Sequence, residues 1–153
     1  MKFKFKKDNR DKVWASLERD AQIRASHKDR RFILSGSWKK FVKKQDGFKV
    51  YRVNGEWVRN NLSVIFGHGG HGFAHEFIPV GEIWVSNKHW GNCGCKNVKK
   101  NKNMSDNFFK STTLHEIVEA REMKKGTIFW KAHQIAVIAE IEAKILKDPY
   151  SEE

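Results

Sequence analysis

Between residues 105 and 148, apolar positions recur at helical spacing. Leu114, Ile117, Val118 and Arg121 form one mostly apolar stripe. Lys124 and Lys125 suit a helix C-terminus, and Gly126 suits the residue just after it. Past the glycine, Ala132, Ala136, Ala139 and Ala143 carry a second helix to a stop before Pro149. The pattern predicts two antiparallel helices joined by a tight turn. Thr113 with Glu116 fits a capping box for the first helix, and Ser105 or Asp106 offers an earlier start. Thr127 is the expected cap of the second.

Upstream the period shortens. Residues 48–53, then Asn54-Gly55, then residues 56–58 predict a hairpin, because Asn-Gly supplies the positive φ angles of a type I′ turn. Residues 62–66, 73–78 and 82–85 predict further strands, with residues 79–81 turning between the last two. On the strand from 73, Phe73, His75 and Phe77 share one face. The glycine-rich residues 67–72 predict a flexible loop. Residues 86–103 are polar, basic and rich in Asn, which predicts a surface loop. Val13, Leu17 and Ala21 predict a helix over 10–27, with His27 exposed after it. Residues 1–7 alternate Lys and Phe, as an edge strand or a disordered tip would. Ser37 is placed to cap a short basic helix holding Trp38, Phe41 and Val42 among lysines. The expected architecture is α+β. An N-terminal helix lies in a basic region (1–47). A small antiparallel sheet with hairpins follows (48–86), then a basic loop (87–104) and a C-terminal antiparallel helix pair (105–148). All of it fits a single domain over 1–153.

Composition narrows the class. With 39% hydrophobic and 31% charged residues, the chain suits a soluble globular protein, and no apolar run approaches a membrane span. The first residues lack the apolar core of a signal peptide. Cys93 and Cys95 are too close for an ordinary structural disulfide, which points to a reduced, cytoplasmic setting. The net charge of +12 is unevenly placed, because residues 1–52 hold 17 Lys or Arg against 6 Asp or Glu. Such a region suits a polyanion, with Lys39, Lys40, Lys43 and Lys44 as candidate nucleic-acid contacts interleaved with stacking aromatics. The same lysines equally suit an amphipathic helix with snorkelling side chains. No motif for reading a DNA groove is present.

The helix pair carries the densest chemistry. His115 and Glu119 are four apart and lie on one face of the first helix. Glu119 lies seven before Gly126 and His133 seven after it, so the turn brings His133 beside Glu119 and within reach of His115. Glu140 falls level with the start of the first helix. Zinc hydrolases pair two helical ligands at i and i+4 with a glutamate next to the first. Here the string is His115-Glu116-Ile-Val-Glu119, with Glu119 in place of the usual second histidine. His115, Glu119 and His133 are the candidate zinc ligands, and Glu116 is the candidate general base. A solvated acidic face, in which Glu116, Glu119 and Glu122 pair with Arg121, Lys124 and Lys125, is the plainer alternative. His68, His71 and His75 could add ligands to this site or a second one, contact substrate, or simply stand exposed in a glycine loop. Of these, His71 and His75, with Glu140, are the candidates for supporting the ligands. Cys93-Gly-Cys95 near His89 is a weak metal signal, because a zinc ribbon needs two such pairs.

Several blocks of the chain, in order, resemble a family of uncharacterised proteins found in bacteriophages and bacteria. They are Tyr51-Arg-Val-Asn-Gly-Glu-Trp-Val-Arg-Asn60, Gly69-Gly-His71, Phe77-Ile-Pro with Glu82-Ile-Trp, Leu114-His-Glu-Ile-Val-Glu-Ala-Arg-Glu-Met123, Lys131-Ala-His133 and Glu140. The family looks like a minimal relative of zincin-type metallopeptidases. The resemblance implies zinc ligands at His115, Glu119 and His133. The resulting expectation is a phage-type, zinc-dependent hydrolase acting on a peptide or protein in the host cytoplasm. The competing expectation is a non-enzymatic nucleic-acid-binding, host-interaction or virion-associated protein.

Overall fold

Asp46 and Gly47 take φ angles of 51° and 85°. A two-residue hairpin turn of type I′ needs two such positive angles. They join β1 (Lys39–Gln45) to β2 (Phe48–Val53) as an antiparallel pair with an irregularity between Phe41 and Lys43. The computed structural model describes residues 15, 16, 19, 36–91, 93–99 and 101–152. The strand expected at 1–7, His27 and the apolar residues 32–34 lie outside the described residues. So does the helix expected at 10–27, apart from residues 15, 16 and 19, which are helical.

The basic helix expected from Ser37 is strand β1 instead. Its backbone pairs with β2, and Lys39 Nζ bonds Glu82 at 2.8 Å while lying over the Tyr51 and Trp84 rings. The hairpin expected at Asn54-Gly55 is also replaced. Asn54 has φ −74°, and its side chain accepts the Trp57 N–H at 3.1 Å, which caps α1 (Gly55–Asn61). Gly55 is needed for close approach, since a Cβ there would stand 2.2 Å from Ser86 Oγ.

β3 (Gly69–His71) and β4 (Glu82–Ser86) complete the sheet in the order β1-β2-β4-β3. β2 and β4 run parallel, with Val50 opposite Ile83, and β3 pairs antiparallel with β4. The sheet is therefore mixed, within the α+β class expected. Residues 62–66 and 73–78, expected as strands, form turns. Leu62 and Ser63 donate back to the Val58 carbonyl, and Ala74 and His75 donate to the His71 carbonyl. A three-residue strand stands instead in the glycine segment expected to be loop.

The two faces of β4 are both covered. Val50, Ile83 and Val85 pack on Phe109, Ile117 and Ala120 of α2 (Asp106–Lys124). On the other face Trp84 joins Trp38, Val58, Phe66 and Ile78, with the Trp38 and Trp57 rings stacked at 4.3 Å. Ser105 caps α2 through the Phe108 N–H, so the earlier of the two expected starts holds and Thr113 is mid-helix. Gly126, at φ 99°, follows the C-cap of α2. α3 (Phe129–Ala143) then runs back against α2. Ile128 stands at its N-cap position, and Thr127 bonds Glu122 instead. α3 stops at a left-handed Lys144, five residues before Pro149. Among the described residues no helix is long and apolar enough to cross a membrane.

Candidate metal centre

The helix pair brings three donor atoms to one point. His115 Nε2 lies 3.1 Å from Glu119 Oε2 and 3.1 Å from His133 Nδ1, and His133 Nδ1 lies 3.1 Å from Glu119 Oε2. A tetrahedral ion with nitrogen and oxygen donors about 2.0–2.1 Å away sets its donors about 3.3 Å apart. The triangle is within a few tenths of an ångström of that spacing.

Its neighbours fix which atoms face inward. The Nδ1–H of His115 donates to Glu140 Oε2 at 2.8 Å, and Ser111 Oγ donates to Glu140 Oε1 at 2.8 Å. His71 Nδ1 accepts the Phe73 N–H at 3.2 Å, so its Nε2 carries the proton and donates to Glu119 Oε1 at 2.8 Å. That leaves His115 Nε2 and Glu119 Oε2 turned toward each other and toward His133 as acceptors. A ligating histidine is typically oriented in this way by a carboxylate on its other nitrogen. His71, Glu116 and Glu119 also have donor atoms within 4.8 Å of one another. Ligation by His71 Nε2 would have to displace its proton from Glu119, so the first trio is the better-prepared set.

Three acceptors meeting at 3.1 Å repel one another unless a cation or a proton sits among them. Without a metal the proton goes to His115. Burial alone would lower its pKa, but the bonds to Glu119 and Glu140 override it and hold it up to about 10. Burial likewise favours a neutral Glu119, yet the bonds from His115 and His71 hold it down to about 2. The residues fit a metal ion for this reason: a buried group of carboxylates already demands one positive charge at its centre.

Glu116 is different. It is buried, and Gly69 of β3 packs so close that a Cβ there would stand 3.0 Å from Glu116 Cγ. Burial, opposed by the His115 charge, pushes its carboxyl up to about 7. A cavity of about 640 Å³ opens over Glu116 and the trio. Its walls include Ile65, Phe73, Trp90 and Phe129, of which Ile65 is 72% exposed. The cavity therefore has a polar floor and an apolar mouth.

The expected site residues are largely brought together. His115, Glu119, His133, Glu116, Glu140 and His71 form one group. His75 lines the same cavity but joins neither donor group; it sits between the Phe66 and Phe77 rings, where burial lowers its pKa. His68 turns the other way, toward His89, Cys93 and Cys95. Ser111 was not singled out by the sequence; its place four residues before His115 was the available signal. The expected surface loop at 86–103 is anchored: His89 is fully buried, its N–H donates to the Lys102 carbonyl, and Lys96 N–H donates to the Tyr150 carbonyl. Of the four candidate lysines, Lys40 and Lys44 are exposed on β1 and Lys39 is engaged with Glu82.

No protein-family model matches the chain, and neither a curated protein nor a solved structure matches it.

Proposed function

We propose that the chain is a zinc-dependent hydrolase acting on peptide bonds. The observation that carries this is the triangle of His115 Nε2, His133 Nδ1 and Glu119 Oε2 with a buried carboxylate, Glu116, beside it. Two imidazole nitrogens and one carboxylate oxygen are a zinc donor set, and three protein donors leave a position for water or substrate. When bound, zinc supplies Lewis-acid polarisation of a carbonyl and makes water more acidic.

The chain's own groups supply the rest. Glu140 and Ser111 hold the His115 ring in one orientation. His71 holds the Glu119 carboxylate. Glu116 takes a proton from the attacking water and returns it to the leaving nitrogen as the C–N bond breaks. An acid near neutral is suited to both transfers. The exposed apolar rim formed by Ile65, Phe129 and Tyr150 favours a substrate with apolar groups flanking the scissile carbonyl. The resemblance to phage and bacterial proteins is in keeping with the same ligand set and with action in a host cytoplasm.

The test is metal content followed by turnover. Protein purified without a His tag or added metal is assayed for zinc beside His115→Ala, then screened on a peptide library beside Glu116→Gln. One zinc per chain fewer in His115→Ala than in the wild type, and turnover lost in Glu116→Gln, are expected. Full turnover in Glu116→Gln overturns the mechanism.

A further inference from the structure

On the other side of the cavity, a second set of donors converges. His68 Nε2 lies 3.1 Å from His89 Nδ1. Cys93 Sγ lies 3.6 Å from His89 Nδ1, and Cys95 Sγ lies 3.7 Å from His68 Nε2. All four donor atoms lie within 4.8 Å of one another. Zinc bonds of about 2.0–2.1 Å to nitrogen and 2.3 Å to sulfur set tetrahedral separations of about 3.3 Å for N–N and 3.6 Å for N–S. The three measured separations follow that order and nearly those lengths. We infer that His68, His89, Cys93 and Cys95 form a second metal site, a closed zinc site of structural type.

The surroundings are built for it. His89 Nε2 bonds the Glu152 carboxylate, which leaves Nδ1 to face the cluster. The same Glu152 oxygen accepts the N–H of Ser105, the residue that caps α2. The Phe108 ring packs edge-on against both imidazoles, 5.0 Å from His68 and 4.5 Å from His89. Gly94 separates the cysteines at φ 75°, a conformation that turns the chain between them. The charge also balances. One zinc enters as two thiol protons leave, so the pocket's net charge is unchanged. Four protein donors leave no position for water, unlike the trio across the cavity.

The segments joined have little regular structure of their own. His68 precedes β3, His89 follows β4, and both cysteines lie in the irregular stretch before α2. His68 and Cys93 also line the cavity. A metal here would pin one wall of the cavity to the sheet and, through Glu152, to the start of α2.

The chain has only two cysteines, which makes the test specific. Metal-free full-length protein is titrated with cobalt(II) under reducing, oxygen-free conditions. A thiolate-to-cobalt charge-transfer band in the near ultraviolet, saturating at one cobalt per band-forming site, is expected. His115→Ala should keep the band, because His115 gives no donor atom to the set of His68, His89, Cys93 and Cys95. Cys95→Ser should lose most of it. Cobalt bound by the wild-type chain without a charge-transfer band overturns the inference, and so does a band that disappears in folded His115→Ala. The wild-type reading holds even if Cys95→Ser does not fold. Loss of peptide hydrolysis alone leaves the band untouched, so the two proposals fail separately.

Discussion

Glu140 on α3 accepts the Nδ1–H of His115 on α2 at 2.8 Å, and the opposite nitrogen of that ring faces Glu119 and His133. One carboxylate thus decides which nitrogen of the ring is available. Glu140→Gln keeps the shape but loses the charge that favours this tautomer. The expected outcome is zinc affinity weaker by about 10–100-fold. Competition against a chromophoric chelator measures it, and unchanged affinity would remove Glu140 from the site.

Glu116→Gln should retain zinc and lower turnover by about 100- to 10,000-fold, the range for loss of a positioned general base. In the proposed mechanism the wild-type base works only when ionised. Activity should therefore fall as pH drops, with its acid limb at or below about 7, because a bound cation lowers the value set by burial. A pH–rate profile with the same acid limb in both proteins would assign that limb to another group.

Gly69→Ala places a methyl group 3.0 Å from Glu116 Cγ, 3.0 Å from the Trp84 carbonyl oxygen and 3.1 Å from Thr112 Cγ2. The carbonyl belongs to the sheet and cannot yield. Overpacking of this kind costs about 1–3 kcal/mol. Urea denaturation should show that loss, and turnover should fall with it as Glu116 is displaced. A variant of wild-type stability would mean that β3 moves freely against α2.

The metal-free protein should weaken in alkali. His115 is raised from 6.5 to about 10, so its contribution is full below 6.5 and disappears as pH rises through about 10. Glu116 is raised from 4.5 to about 7, so the stability of its neutral form is present below 4.5 and gone above about 7. Both slopes point the same way. In chelator, the urea midpoint should decline from pH 7 to 10, and zinc should flatten the decline by replacing the His115 proton. A midpoint independent of pH in chelator would contradict the charge balance described for the trio.

The helix pair was legible because its signals are local. The i, i+4 spacing of His115 and Glu119, the glycine at 126 and the equal offsets to Glu119 and His133 need no distant information. The sheet was harder. Asn54-Gly55 carries a hairpin signature, but the same asparagine is a good helix cap, and α1 follows it. The alternation of Phe73, His75 and Phe77 suggests a strand, yet the chain turns back on His71 there. β3 consists of Gly69, Gly70 and His71, which hold no hydrophobic pattern. The parallel pairing of β2 with β4 joins residues far apart in the chain. The second donor set was hidden for the same reason. Cys93 and Cys95 look like half a motif until the fold delivers His68 and His89.

The turn at Gly126 has a consequence for the order of folding. His115 and His133 are only 18 residues apart, whereas His71 reaches Glu119 across 48 and His89 reaches Glu152 across 63. Closing a short loop costs less chain entropy and happens sooner. The two helices should therefore gain protection from hydrogen exchange before the strands do. A metal ion could then be captured by a chain whose sheet is still assembling, with the trio acting as a seed for collapse.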